Sequence, residues 1–226
     1  MLHAEGCRVA LNGRNKADLA TATTQLSGTI GIVGDVTRPD DARRAISEVV
    51  STFGQLDILV CNVGSGSSVP PGSETADEWQ RTFAINLWSA TNCVEAARDA
   101  LAATNGVIVC ISSICGLEVI SGAPVTYSAA KAALHAYVRG IARPLGLQGV
   151  RINAVAPGNI LFDGSVWSRK LAEDKQAVEL TLEKNVALGT LGAPADVAGL
   201  VAYLVSPCSR FATGGVWTID GGQVHS

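Results

Sequence analysis

Charge is scarce in this chain. Of its 226 residues 16% are charged, and 17 Lys and Arg against 20 Asp and Glu leave a formal net charge of −3. With no basic excess there is no general field for a nucleic-acid backbone or an anionic membrane, so neither is expected as a partner. No apolar run reaches the roughly 18 residues of a membrane-spanning helix. The opening MLHAEGCRVALNGR has no basic stretch followed by an apolar one, so no secretory leader is read there and a cytoplasmic location is expected. The cysteines (Cys7, Cys61, Cys93, Cys110, Cys115 and Cys208) form no C-x-x-C pair, and we read them as reduced and mostly buried, without a metal. Aromatic residues are only 5%.

What is present is apolar and small. Hydrophobic residues make up 47% and there are 24 glycines, a composition that excludes intrinsic disorder and suits helices packed closely on a sheet. At this length a single domain, residues 1–226, is expected, with a core that needs no staples. Short apolar runs alternate with longer amphipathic ones. Strands are expected at Arg8–Asn12, Thr29–Val33, Leu56–Asn62, Gly106–Ser112, Val150–Val155 and Val216–Ile219. Helices are expected at Lys16–Leu26 with Asn15 as N-cap, Pro39–Phe53, Thr75–Ala103, Val125–Leu145 and Asp196–Leu204, and Asn159–Asn185 is irregular and then helical. Strands alternating with helices argue for parallel βαβ units, an α/β fold with a doubly wound parallel sheet.

The chemistry gathers around Tyr127-Ser128-Ala129-Ala130-Lys131. Tyr and Lys four apart share a helix face. A free phenol titrates near pH 10, and a neighbouring ammonium favours its ionised form, so the pair is expected to make a tunable proton donor and acceptor. Upstream, Ile111-Ser112-Ser113 ends a buried strand and offers a hydroxyl for the same substrate oxygen. Asn62-Val63-Gly64 follows another such strand, Asn86 lies in a helix, and Asn153-Ala154-Val155-Ala156-Pro157-Gly158 ends a third strand. At the carboxyl ends of parallel strands these segments face the crevice where ligands bind.

Together with Asp35-Val36 and the closing Asp220-Gly221-Gly222, these residues resemble the short-chain dehydrogenase/reductase family in its Rossmann-type form, from about Gly6 to Gly222. The resemblance implies Tyr127 as general acid/base and Lys131 as its partner, which also holds the nicotinamide ribose. It implies Ser113 as the group orienting the substrate and Asn86 as support for a proton-relay water. Ser113 is preferred to Ser112 because Gly116 then completes the family's S-x-x-G turn. For the cofactor it implies Asp35 and Val36 beside the adenine, Asn62 and Gly64 on the adenine-ribose side, and Pro157, Gly158 and Ile160 near the nicotinamide. Gly13-Arg14 after the first strand lacks the acid that meets a free ribose 2′-hydroxyl, and Arg14 suits a 2′-phosphate, so NADP(H) is favoured with NAD(H) possible. The family's paired helices imply a homodimer or homotetramer, and Leu161–Leu188 corresponds to its substrate lid.

Two departures stand out. Phe162 occupies the position of a threonine that meets the nicotinamide carboxamide. The family's opening strand and T-G-x-x-x-G-x-G turn have no counterpart: Met1–Gly6 matches the tail of a first helix, and a βαβ unit needs about 30 residues. Three explanations stay open: an N-terminally shortened copy, a naturally shortened paralogue, or a gap filled by a partner chain or a rearranged sheet. The strands at Val9 and Leu59 are then expected either to close together or to leave weak dinucleotide binding. The expected function is interconversion of an alcohol and a carbonyl by hydride transfer with NADP(H). The rival is a catalytically silent relative acting as a binding or oligomerisation partner.

Overall fold

Local chemistry sets the element boundaries. Asn15 Oδ1 accepts from the amides of Ala17 (2.8 Å) and Asp18 (3.4 Å), which starts α1 at Lys16–Gln25. Pro39, lacking an N–H that a first turn cannot use, opens α2 at Pro39–Phe53, and Gly54 closes it in the left-handed region at φ 83°. Thr75 caps α3 (Ala76–Phe83), and Asp174 caps α7 (Lys175–Asn185). The computed structural model describes residues 1–225. The remaining elements are α4 (Ser89–Thr104), α5 (Val125–Gly146), α6 (Val166–Glu173), α8 (Pro194–Val205), and strands β1 (Ala10–Gly13), β2 (Ile30–Val33), β3 (Ile58–Cys61), β4 (Val107–Ile111), β5 (Arg151–Pro157) and β6 (Val216–Ile219).

Every strand pairing is parallel. In β4 and β5 successive side chains go to opposite faces. Ile108, Cys110, Ile152 and Ala154 meet the residues of α2, α4 and α5, whereas Val109 and Val155 meet Val201 and Leu204 of α8. Both faces are therefore covered, which is why these strands read as unbroken apolar runs. The result is the expected Rossmann-like α/β arrangement.

The sheet is divided. Among the described residues β1 pairs only with β2, while β3-β4-β5-β6 form a second sheet with no backbone ladder between them. The strands at Val9 and Leu59 have thus not closed together, and a cleft of about 1080 Å³ lies between them, lined by Val9, Leu11, Val49, Ile58, Val60, Ala90 and Val201 among others. Met1–Gly6, read from the sequence as a helix tail, is a single turn. Cys7 N–H donates to the Leu2 carbonyl (3.1 Å) past Gly6 at φ 88°, the closure used at helix C-termini.

One helix differs from expectation. Thr75–Ala103 is not continuous α-helix, because a π turn at Ala84–Trp88 separates α3 from α4. Residues 166–185 form two helices, α6 and α7, with their own small cluster of Val178, Leu182 and Val186 against Trp167, Leu171 and Leu191. No helix among the described residues is long and apolar enough to cross a membrane.

Candidate active site

The first turns of α5 and the carboxyl ends of β3 and β4 bring the polar residues together. Tyr127 and Lys131 share one face of α5, with Lys131 Nζ 5.8 Å from the centre of the Tyr127 ring. Lys131 is 3% exposed, and its ammonium donates to the Ile111 carbonyl at 2.9 Å, just where β4 ends. Ser113 follows two residues later. Its hydroxyl accepts from Cys115 N–H (3.2 Å), and it lies near enough to the Tyr127 phenol to act on its ionisation.

Burial decides the protonation states. It lowers the Lys131 pKa to about 8, because a charged ammonium loses hydration there. It also raises the Tyr127 pKa above its ordinary value, and the nearby Ser113 hydroxyl offsets only part of that rise. The sequence led us to expect Lys131 to pull the phenol pKa down. In the structure the phenol pKa is raised instead, chiefly by desolvation, and the Lys131 ammonium donates to the Ile111 carbonyl. Near neutral pH Tyr127 therefore holds its proton and Lys131 its charge.

Asn86 sits in the π turn, 1% exposed. Its Oδ1 accepts from Ser65 N–H (2.9 Å), and its Nδ2 donates to the carbonyls of Ser65 (3.0 Å) and Thr82 (3.1 Å). The side chain thus fastens the Ser65–Ser73 loop to the helix, and π turns recur at functional sites. Gly64 lies close by: a Cβ there would stand 3.1 Å from both Asn86 Oδ1 and Lys131 Nζ. A bare backbone lets the loop approach the ammonium.

The dinucleotide residues fall into two groups. Val36, Asn62, Pro157 and Ile160 line the cleft, and Phe162 joins them. Arg14, Asp35, Gly64 and Gly158 lie outside that lining. Arg14 is exposed just before α1. The Asp35 carboxylate accepts from Thr37 N–H (3.1 Å) and Thr37 O–H (2.8 Å), which shapes the turn that presents Val36. Gly158 packs on Asp220, where a Cβ would approach its Cα to 2.8 Å. The cleft lining is mostly apolar with a few exposed polar groups such as Asn62, and the Tyr127–Lys131 pair lies beyond the end of β4, outside that lining.

Ser112 was weighed against Ser113 in the sequence, and the structure gives it different work. Its hydroxyl is 2.7 Å from His135 Nε2, away from Tyr127. Two features escaped the sequence reading. One is His135 itself. The other is a network in which Ser68 Oγ lies 2.6 Å from both Glu78 Oε1 and Thr126 Oγ1, anchoring the residue before Tyr127. Their partners are remote in the chain, and no local motif signals them.

A family model described as Enoyl-(Acyl carrier protein) reductase matches residues 1–224. The chain is 34% identical over 197 residues to L-rhamnose 1-dehydrogenase (NAD(P)(+)) of Sphingomonas sp. (strain SKA58), covering 86% of this chain and 75% of that protein. It is 33% identical over 220 residues to L-fucose dehydrogenase of Mus musculus, covering 96% and 79%. Among solved structures, the NADPH-bound short chain oxidoreductase from Pseudomonas aeruginosa PAO1 superposes with a TM-score of 0.92 at 27% identity, covering 100% of this chain and 90% of that one.

Proposed function

The chain belongs to the short-chain dehydrogenase/reductase family, a family of NAD(P)-dependent oxidoreductases, and from that premise we propose that it interconverts a small-molecule alcohol and its carbonyl with NADP(H). The observation that carries this reading is the convergence of Ser113, Tyr127 and Lys131 at the carboxyl end of β4, near the cleft that Asn62, Pro157 and Ile160 help to line. A bound nicotinamide supplies or accepts the hydride. Val36 and Asn62 would hold the adenosine side, and Pro157 and Ile160 the nicotinamide side. In reduction, Ser113 O–H orients the carbonyl oxygen and Tyr127 O–H gives it a proton as charge develops there. The Lys131 ammonium favours the resulting phenolate. In oxidation the same phenolate takes the proton back.

Leu161–Leu188 would serve as the lid over the substrate, with Phe162 at its root. Two of the relatives are named for sugars, which makes L-rhamnose and L-fucose the first substrates to try. The same reading has the chain assemble as a homodimer or homotetramer, in keeping with exposed apolar side chains such as Trp88 and Phe211.

The test is Tyr127→Phe. NADPH formation with the sugars and simple alcohols, followed by absorbance, should fall about 10²-fold or more in kcat, the low end for loss of a general acid–base, with the fold intact by circular dichroism. Turnover near the wild-type rate in the pure variant would remove Tyr127 from the mechanism.

A further inference from the structure

His135 takes no part in the steps above, yet it is 2% exposed and lies one turn beyond Lys131 on the same face of α5. Its Nε2 is 2.7 Å from Ser112 Oγ and its Nδ1 is 3.2 Å from the Gly116 carbonyl. These two partners bracket Ser113, one just before it and the other at the far end of the short 3₁₀ turn Ile114–Gly116.

The partners also fix the tautomer. A carbonyl oxygen can only accept, so Nδ1 must carry the proton, and Nε2 then offers a lone pair to the Ser112 hydroxyl. Burial lowers the ring's pKa to about 4, so it is neutral near pH 7, as this arrangement requires. The turn lies directly on the helix backbone. A Cβ at Gly116 would come within 2.7 Å of both His135 Cε1 and the Lys131 carbonyl carbon, and 2.8 Å of Ala132 N.

We propose that His135 is a positioning residue: as the Nδ1–H tautomer it clips both ends of the Ser112–Gly116 turn to α5 and so sets where Ser113 Oγ stands relative to the Tyr127 hydroxyl. The proposal rests on the reading that Ser113 and Tyr127 act on the substrate. Misplacing a reacting group by about 1 Å can cost about 10²-fold in rate, so a clip remote from the chemistry has leverage.

Three variants test it. Ser112→Ala removes one arm at nearly constant volume. His135→Leu removes both, and His135→Gln keeps one acceptor and one donor. The first readout needs no turnover: ¹³Cζ-tyrosine NMR at pH 7, where the resonance missing from Tyr127→Phe identifies Tyr127 among the 3 tyrosines. Ser112→Ala and His135→Leu should shift that resonance by moving Ser113 relative to the phenol, and His135→Gln should return it. The second readout is kinetic. In the first two variants kcat should fall about ten-fold or more while the KM for NADPH stays within about two-fold, and His135→Gln should restore most of the rate. ¹⁵N NMR of wild-type histidines should show Nδ1 protonated. An unmoved Tyr127 resonance in a folded Ser112→Ala protein, or a ring protonated at Nε2 alone, would overturn the proposal. A wild type that turns over no alcohol, with the Tyr127 resonance shifting as expected, would instead count against the proposed function and leave the clip standing.

Discussion

Lys131 is a charge kept where charge is costly. Its ammonium has one hydrogen bond to the Ile111 carbonyl, and burial brings its pKa down to about 8. A group with a folded pKa so near neutrality is poised to exchange its proton, which a surface lysine is not. Arg14 is the opposite case, exposed and outside the cleft lining, and it bears on the choice of cofactor. If its guanidinium meets a 2′-phosphate, Arg14→Ala should raise the KM for NADPH by about ten-fold, a typical cost of one charge-assisted bond. The KM for NADH should barely move. Parallel initial-rate measurements with both cofactors decide this, and equal effects would leave Arg14 as a solvated charge at a helix entry. The residue scale is also where the sequence was least informative. Y-x-x-x-K announced its own geometry because a helix puts i and i+4 on one face. The Ser112–His135–Gly116 clip did not, since its members are joined only when β4 and α5 pack. In the sequence Gly116 favours Ser113 over Ser112, but the partner of Ser112, His135, is brought to it only when β4 and α5 pack.

Between elements, the Ser65–Ser73 loop is tied to two helices at once. Asn86 holds its start, and Ser68 joins it to Glu78 of α3 and Thr126 of α5. Arg81 completes the network with bonds to Glu78 and the Ser67 carbonyl. Bonds from Arg81 and Ser68 hold the Glu78 pKa at about 2. An unfolded glutamate titrates near about 4.3. The unfolded chain therefore takes up this proton first as pH falls, so the contribution is whole above that pH and is lost as pH falls toward 2. Glu78→Gln should lower Tm at pH 7 and make the decline of Tm between pH 4.5 and 2 shallower than in wild type. Thermal melts across that range check it, and identical slopes would mean the carboxylate is not held this way. Element types were mostly legible: Pro39–Phe53 and Val216–Ile219 begin and end where proline, glycine and apolar patterning put them. The π turn was not, because no residue type in Ala84–Trp88 marks a slip from i+4 to i+5 bonding as proline or glycine marks a helix end.

At the scale of the molecule, β4 and β5 are covered on both faces, whereas β1 and β2 form a pair of their own. Their attachment to the rest runs through α2 against α4, through Asn92 Nδ2 donating to the carbonyls of Val36 (3.0 Å) and Thr37 (3.1 Å), and through Arg8 donating to the Phe53 carbonyl (2.7 Å). Local openings occur in cooperative units, and the least buried unit opens first. Hydrogen exchange followed by mass spectrometry should therefore show peptides over residues 9–13 and 29–34 exchanging well before those over 106–112 and 150–157. Simultaneous exchange would mean that the two sheets open as one. The alternation of strands and helices was written in the sequence. The division between the sheets was only half legible, since patterning shows which strands exist but not whether two edges will meet.

That division has a mechanical side. Across a hydrogen-bonded ladder, neighbouring strands sit at a fixed spacing of about 4.8 Å and resist being pulled apart. Between β1 and β3 there is no such ladder among the described residues, and side-chain packing of Ile32, Ala10 and Ile30 into the common core joins the smaller pair to the rest. A strand or ligand seated in the cleft between β1 and β3 would add contacts to both edges at once and brace the β1–β2 pair against the larger sheet.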